Sequence, residues 1–197
     1  MKHFYNRMSR AVTTDWMLKE LAIAHQQIPV DLSENSQDLV KLKNINPMGK
    51  VPVLVDGEHI ITEVAAICAY LADKFPEKKL SPNPSAIERA TYYRYLFIAG
   101  NTIEPALTLA ASQITHPNSS TAGWGDIARV LKTIETLTPN DGWVLAKQFT
   151  AADVVFGGLL DSAVMFGLLV PSVKVSAYVA RLRERPAYQA THQVYSI

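Results

Sequence analysis

Apolar and polar residues follow one another along the first 75 residues in patterns typical of short strands and amphipathic helices. Asp56-Gly57 lies between two short apolar stretches and indicates a tight hairpin turn. Pro76 ends the last helical pattern, because proline cannot continue a helix. The predicted strands are Lys2 to Tyr5, Ile28 to Leu32, Val51 to Val55 and Ile60 to Thr62, and the predicted helices are Arg10 to Ala24, Gln37 to Leu42 and Glu63 to Phe75.

These elements follow one another in the order β-α-β-α-β-β-α. A helix joins the first two strands, which are therefore predicted to be parallel, whereas the hairpin makes the last two strands antiparallel. This order is the arrangement of a thioredoxin-like domain.

The rest of the chain carries helical patterns only. Lys78 to Ser85 contains two prolines and two serines and is predicted to be a linker. We therefore predict two domains, a thioredoxin-like domain over residues 1–77 and an all-helical domain over residues 86–197. The predicted helices of the second domain are Ile87 to Ser112, Ile127 to Leu137, Ala151 to Leu169 and Val173 to Arg185, the last of which ends at Pro186.

The stretch from Ala151 to Leu169 is almost wholly apolar and approaches the length of a membrane span. Asp153 and Asp161 lie within it and favour a buried central helix instead. The N-terminus lacks the basic-then-apolar order of a signal peptide, because Arg7 and Arg10 interrupt it, so no signal peptide is expected. We expect no membrane partner.

Charge and cysteine content narrow the class of protein. Lys and Arg total 19 and Asp and Glu total 18, so the net charge of +1 favours neither nucleic acid nor an anionic membrane surface as a partner. Because the chain has one cysteine, Cys68, an internal disulfide is excluded. Cys68 lies in an apolar run and is predicted to be a buried structural residue. We expect a reducing, cytoplasmic compartment. The five histidines show no metal-ligand spacing, so we expect no metal.

Val51-Pro52 is the strongest single motif. A proline at the start of a strand with the apolar pattern of a buried strand is unusual, because proline cannot donate to the ladder. A cis peptide, which proline adopts readily, would turn the backbone of Val51 toward a cleft, where it could pair with an extended peptide ligand. The alternative is an ordinary trans proline at the first residue of a strand.

Several motifs in the same order along the chain resemble those of bacterial-type glutathione S-transferases. Asn46 to Leu54 resembles the family's NPxGxVPxL turn, and Thr62 to Leu71 resembles the start of its third helix. Further similar segments are Arg94 to Leu107, which resembles the fourth helix of bacterial members, Phe149 to Asp153 and Arg181 to Pro186. The resemblance implies an α/β thioredoxin-like N-terminal domain followed by an all-α C-terminal helical domain.

The resemblance also implies that glutathione is the co-substrate. In the family, an acid at the position of Glu63 pairs with the amino group of the γ-glutamyl residue, and the next backbone N–H, here that of Val64, takes its carboxylate. Val64 replaces the usual serine, which is a departure from the family pattern. Lys50 matches a position that contacts glutathione, and Val51 and Pro52 match the backbone-pairing turn. The alternatives are an ordinary first-turn acid at Glu63 and a solvated lysine at Lys50.

The family places a Tyr, Ser or Cys after the first strand to stabilise the thiolate of glutathione. Ser9 matches that position and is the predicted catalytic residue, although a serine before a helix is also the usual N-cap. Tyr5 is the second candidate. No cysteine stands at this position, so cysteine-based deglutathionylation is not expected. Asn6-Arg7 stands where many members have Ser-Pro, a second departure.

The predicted function is that of a glutathione transferase, an enzyme that conjugates the glutathione thiolate to a hydrophobic electrophile. The resemblance also implies a homodimer. One alternative is a non-catalytic binding or regulatory module with the same fold, and another is a glutathione-dependent isomerase or peroxidase. The candidates to line the electrophile pocket are Tyr92, Phe97, Asn101, Trp124 and Phe166.

Overall fold

The computed structural model describes residues 1–192, which form four strands and nine α-helices. The strands are β1 (Lys2–Tyr5), β2 (Gln26–Pro29), β3 (Val53–Asp56) and β4 (His59–Thr62). The helices are α1 (Ala11–Leu21), α2 (Gln37–Ile45), α3 (Val64–Lys74), α4 (Glu88–Ile98), α5 (Glu104–Ala111), α6 (Ile127–Leu137), α7 (Ala151–Met165), α8 (Val173–Arg183) and α9 (Pro186–His192).

The four strands form one sheet in the order β2-β1-β3-β4. β1 runs parallel to β2 and antiparallel to β3, and β3 and β4 form the predicted hairpin. The turn of that hairpin needs a left-handed residue, which Gly57 supplies at φ +59°. The predicted element order and the thioredoxin-like architecture of this part of the chain are confirmed.

β2 begins two residues earlier than predicted. Its apolar residues pointed to Ile28 to Leu32, whereas the ladder starts at Gln26, whose N–H donates to the carbonyl of Met1 at 3.0 Å. Val30 makes the last bond to β1, through the Tyr5 carbonyl at 2.8 Å. Pairing with β1 therefore sets the limits of this strand, and the apolar pattern does not.

The chain divides into two compact units, of which the first contains Met1–Phe75 together with the segment that begins at Pro186. Its core is apolar, and within it α1 packs against both α3 and α9. Cys68 of α3 is fully buried, as predicted, and burial raises the pKa of its thiol, so the sulfur is held as a neutral packing group. The largest fully buried side chains of this unit are Trp16, Met17, Leu18, Leu21, Leu42, Leu54, Ile67 and Leu71.

The assignment of α9 to the first unit differs from the predicted helical domain of residues 86–197. Tyr188 packs its ring edge-on to Trp16 of α1 with centroids 5.2 Å apart, and Lys19 donates to the Ala190 carbonyl at 3.1 Å. The helix before Pro186 ends, as predicted, and Pro186 also begins α9, because a first helical residue needs no N–H partner. Residues 193–197 of the predicted domain lie outside the described part of the chain.

The second unit, Pro76–Arg185, is helical. α7 contacts α4 and α8, and all but a few of its residues are buried, as expected for a central helix. It ends at Met165, short of the predicted Leu169, because Gly167 adopts a left-handed turn at φ +69°. In the described residues, no helix is both long enough and apolar enough to cross a membrane.

The long helix predicted from Ile87 to Ser112 is interrupted. α4 stops at Ile98, a π-helical segment spans Ala99–Ile103, and α5 follows. Pro105 explains the interruption, because it has no N–H to donate and its ring clashes with the carbonyl of the preceding turn. The helix accommodates this clash by widening for one turn.

Candidate functional site

The register of the sheet brings the predicted site residues to one edge of the first unit. Phe4 near the end of β1 lies opposite Val53 at the start of β3, and Val53 lies opposite Thr62 at the end of β4. The segments that leave the sheet at these three points therefore share one edge. They contain all seven predicted residues, namely Tyr5, Ser9, Lys50, Val51, Pro52, Glu63 and Val64.

The turn before β3 is held rigid by Asn46, a buried amide. Its side-chain nitrogen donates to the Lys50 carbonyl at 2.8 Å, and its side-chain oxygen accepts the Met48 N–H at 3.2 Å. Gly49 closes the turn with a bond to the Asn46 carbonyl at 2.8 Å and needs its left-handed conformation at φ +62°. The Val51–Pro52 peptide that follows is cis.

Val51 points its side chain inward and leaves its backbone polar groups available. The side chain is 8% exposed and packs in an apolar cluster with Ala11 of α1 and Val53 of β3. Among residues 1–192, no partner hydrogen-bonds to the N–H or C=O of Val51. Backbone groups without a partner beside a strand can pair with an extended peptide.

The start of α3 is an uncapped helix end beside that turn. Glu63 precedes the helix with φ +69° and ψ 127°, an unfavourable conformation for a residue with a Cβ, and its side chain makes no capping bond. The Glu63 carboxylate is exposed and has no ion pair with any residue of the described chain. The first N–H groups of α3, beginning with Val64, are therefore positioned for an anion.

Ser9 lies just before α1, and its hydroxyl already has two local partners. It donates to the Asn6 carbonyl at 2.6 Å and accepts the Ala11 N–H at 3.2 Å. A hydroxyl has one proton, so Ser9 can donate to a sulfur only by rotating away from Asn6. Tyr5, the second candidate, packs against the apolar cluster and stacks on the ring of His3 at 5.9 Å.

The sequence interpretation missed the structural role of Asn6. Its side-chain nitrogen donates to the Val30 carbonyl at 2.9 Å, and its side-chain oxygen accepts the Met8 N–H at 2.9 Å. The residue thus fixes the loop that carries Ser9 to the end of β2. An asparagine that precedes a turn was the available signal, because its side chain bonds the backbone two residues on.

The residues expected to line an electrophile pocket have different environments in the second unit. Tyr92 is fully buried in the helical core, whereas Phe97 is 54% and Phe166 63% exposed. Asn101 is exposed, and Trp124 packs edge-on to His116 with centroids 6.1 Å apart. Exposed aromatic rings fit a binding role, and the burial of Tyr92 fits a packing role.

One group of metal-ligand side chains occurs among the described residues, although the spacing of the histidines did not indicate it. His3, Asp15 and His25 each place one ligand atom within 4.8 Å of the others. The group lies at the start of β1 and β2, which run parallel from Lys2 and Gln26. It is therefore at the opposite end of β1 from the edge that carries Ser9.

Comparison with known proteins agrees with this architecture. Residues 1–73 match the family described as "Glutathione S-transferase, N-terminal domain". Glutathione S-transferase Z2 of Arabidopsis thaliana is 41% identical over 86 residues, which cover 44% of this chain but only 38% of the plant protein. The chain thus aligns with less than half the length of that relative.

Two longer alignments extend beyond the first unit. Glutathione S-transferase 2 of Schizosaccharomyces pombe is 30% identical over 89% of this chain and 87% of the yeast protein. The probable maleylacetoacetate isomerase of Caenorhabditis elegans is 33% identical over 82% of this chain and 77% of its own. A sphingomonad glutathione S-transferase, solved with glutathione, has the same fold with a TM-score of 0.78 at 23% identity, over the whole of both chains.

The four-stranded sheet, its proline turn and the helices that follow define a protein with a thioredoxin-like domain and a helical domain. The long alignment with the yeast transferase makes the assignment specific, because it covers most of both chains. The chain belongs to the glutathione S-transferase family, as the sequence motifs indicated.

Proposed function

We propose that the protein is a glutathione transferase that joins the glutathione sulfur to a hydrophobic electrophile. The observation that carries this proposal is the convergence of three features on one sheet edge, namely the unpaired backbone of Val51, the uncapped start of α3 and the loop of Ser9. Membership of the family supports it, and the sphingomonad relative was solved with glutathione.

Glutathione is proposed to lie extended along Val51 and to pair with its N–H and C=O. The γ-glutamyl carboxylate would accept N–H groups at the start of α3, where the helix dipole favours negative charge. The exposed Glu63 carboxylate would hold the amino group of the same residue, and Lys50 would lie near the rest of the backbone. Val64 offers its N–H but no hydroxyl, which costs about 0.5–1.5 kcal/mol relative to a serine.

The proposed chemistry needs the thiolate, because a free thiol with a pKa of about 8.5 is mostly protonated at neutral pH. The Ser9 hydroxyl and the N-terminal end of α1 would stabilise the sulfur anion. The thiolate then attacks an electrophilic carbon, so that a carbon–sulfur bond forms and a leaving group departs or the adduct takes a proton. Tyr5 would supply the hydroxyl if Ser9 does not.

The substitution Ser9→Ala tests this assignment. We expect kcat to fall by about 10²–10³-fold, as for the loss of a donor to a developing anion, with the Kd of glutathione nearly unchanged. Steady-state kinetics with an aromatic halide electrophile and calorimetric titration of glutathione measure the two quantities.

Ser36→Ala is the matched control, because Ser36 caps α2 through the Leu39 N–H at 3.0 Å and lies outside the site. It should lower stability by about 1 kcal/mol and leave kcat intact. If Ser9→Ala behaves as Ser36→Ala does, the Ser9 hydroxyl has only a local structural role, and Tyr5→Phe becomes the next test.

Two other functions each have an observation in their favour. Val64 in place of serine, and the two existing bonds of the Ser9 hydroxyl, favour a non-catalytic module. The similarity to the probable maleylacetoacetate isomerase favours glutathione-dependent isomerisation. Retention on glutathione resin without turnover of any electrophile supports the module, and turnover of a cis-enone diacid without glutathione consumption supports the isomerase.

We further propose a homodimer in the cytoplasm. The family resemblance supports the dimer, and the single, buried Cys68 is compatible with a reducing compartment. Size-exclusion chromatography with light scattering measures the mass of the assembly, and a mass of one chain at micromolar concentration would contradict the dimer.

A further inference from the structure

Two histidines and an aspartate from three separate segments meet at the start of the parallel strands. His3 lies on β1, Asp15 on α1 and His25 just before β2, and one ligand atom of each lies within 4.8 Å of the others. His3 and Asp15 are 0% and 1% exposed, whereas His25 is half-buried and links the group to solvent. None of the three belongs to the proposed glutathione site.

The hydrogen bonds of His3 determine which of its ring nitrogens carries the proton. Its Nε2 lies 2.8 Å from the hydroxyl of Thr14, and that hydroxyl donates its own proton to the Ala11 carbonyl at 3.0 Å. The Thr14 oxygen can therefore only accept, so His3 donates through Nε2–H. Its Nδ1 is left with a bare lone pair, buried and without a hydrogen-bond partner among the described residues.

The tautomer of His25 follows from the same reasoning. Its Nδ1 lies 3.1 Å from the Ile23 carbonyl, and a carbonyl can only accept, so Nδ1 carries the proton. The Nε2 lone pair is then free to bind a ligand. A ring N–H donated to a backbone carbonyl is the usual support of a histidine that coordinates a metal through its other nitrogen.

Asp15 supplies the negative charge of the group. One carboxylate oxygen accepts the Gln27 amide at 2.5 Å, and the other accepts the Lys19 ammonium at 3.1 Å. Each oxygen keeps a further lone pair. Lys19 is partly exposed and also donates to the Ala190 carbonyl at 3.1 Å, so it retains a partner when another cation approaches Asp15.

We propose that His3, Asp15 and His25 bind a divalent transition-metal ion, with Zn²⁺ the best match to two imidazoles and a carboxylate and with water as the fourth ligand. Tetrahedral coordination at about 2.0–2.1 Å brings ligand atoms to about 3.3 Å from one another, so the group must contract on binding. His25 is the ring that moves, because it lies at the rim. The ion would tie β1, α1 and the segment before β2 together.

The test uses the tag-free full-length protein, stripped with a chelator and kept free of glutathione. Co²⁺ is titrated with visible absorption as the readout, and Zn²⁺ with calorimetry. We expect one equivalent of each ion to bind, with the intense visible bands of four-coordinate Co²⁺. Zn²⁺ should also raise the melting temperature, because it binds the folded state.

Four variants, of which one is a control, separate this site from general surface binding. His25→Gln, at the rim, should weaken Zn²⁺ binding at least about 100-fold without unfolding the protein, whereas His59→Gln, exposed on β4, should bind as the unaltered chain does. Lys19→Met removes the competing ammonium and should tighten binding, an effect that a purely structural role of the cluster does not predict. Thr14→Val removes the hydroxyl that keeps the proton of His3 on Nε2, and it should weaken Zn²⁺ binding about tenfold.

Failure to saturate at one equivalent would overturn the proposal, as would equal affinities for His25→Gln and His59→Gln. Because the site lies at the far end of β1 from Ser9, these outcomes do not depend on whether the protein conjugates glutathione. Loss of conjugation with retained Zn²⁺ binding would count against the proposed function alone.

Discussion

Asp153 shows how much one buried side chain can organise. Its carboxylate accepts the Val144 and Thr150 N–H groups at 2.8 and 2.9 Å and the Tyr178 hydroxyl at 2.9 Å. With Thr150 it forms the capping box that starts α7. Burial raises the pKa of this carboxyl from 3.8 to about 6, although the hydrogen bonds lower it. Asp153 thus joins three segments of the second unit, and its carboxyl takes up a proton at a higher pH than a solvated carboxyl does.

This pKa predicts a pH dependence of stability. The folded pKa of Asp153 lies above the unfolded value, so between these pKa values the folded state holds more protons and the free energy of unfolding falls as pH rises. From pH 5 to pH 7 the loss attributable to Asp153 is about 1 kcal/mol. Asp153→Asn should lower stability at both pH values, with the larger deficit at pH 5.

Urea unfolding of the unaltered chain and of Asp153→Asn at the two pH values measures that difference. Comparing the two proteins at each pH cancels the titration of all other groups. A deficit that is larger at pH 7 would show that the charged form of Asp153 is the one favoured by folding.

At the scale of elements, the close approach of α7 and α8 depends on a residue without a side chain. A Cβ at Gly157 would overlap the side chain of Leu182 and lie 3.2 Å from the ring of Tyr178. Glycine normally weakens a helix, so its presence in the middle of α7 is explained by this approach. The same contact brings the Tyr178 hydroxyl to Asp153.

Gly157→Val should therefore destabilise the protein by about 2–3 kcal/mol through overpacking, even though valine is the better helix former. Gly123→Val is the control, because a Cβ there has open space around it and should change stability by less than about 1 kcal/mol. Thermal unfolding followed by circular dichroism compares the two. A neutral Gly157→Val would mean that α8 shifts outward without cost.

The elements also show what the sequence could and could not predict. The hairpin at Asp56-Gly57 and the helical patterns are local signals, so the element order was predictable. The widened turn after α4 depends on Pro105, which lies two residues beyond the end of that turn, and the prediction of one continuous helix overlooked this proline. The positive φ of Glu63 has no local sequence signal, because a glutamate normally avoids it.

The candidate site and the metal-ligand group also differ in how far the sequence predicts them. Motif resemblance pointed to the candidate site residues, and the structure brings the segments that carry them to one edge of the sheet. His3 and His25 come together only because β1 pairs with β2 from Lys2 and Gln26 onward, which no spacing along the chain expresses. The partners of the Ser9 hydroxyl were likewise unpredictable, since they depend on the path of one loop.

At the scale of the whole molecule, the first unit is built from two stretches of chain that are distant in sequence. α9 covers Trp16 of α1 through Tyr188, which also stacks on His192 with centroids 3.7 Å apart. The second unit, Pro76–Arg185, is thus an insertion between these stretches. The stability of the first unit depends on a helix that follows the insertion.

Tyr188→Ala should accordingly destabilise the first unit by about 3–4 kcal/mol, in the range of large-to-small changes at buried aromatic residues. Hydrogen exchange read by mass spectrometry should show that the substitution speeds exchange more in α1 and the sheet than in α7. Tyr93→Ala, at a ring 42% exposed on α4, is the control and should have a small effect. Uniform acceleration across both units would indicate that they unfold together.

The position of α9 has a consequence for synthesis on the ribosome. The strands of the first unit and α1 emerge early, but the helix that covers Trp16 is translated only after residues 76–185. During that interval the nascent chain presents an unsatisfied aromatic face, the kind of surface that attracts chaperones or a neighbouring nascent chain. The time needed to translate residues 76–185 therefore sets how long Trp16 stays uncovered and able to contact another chain.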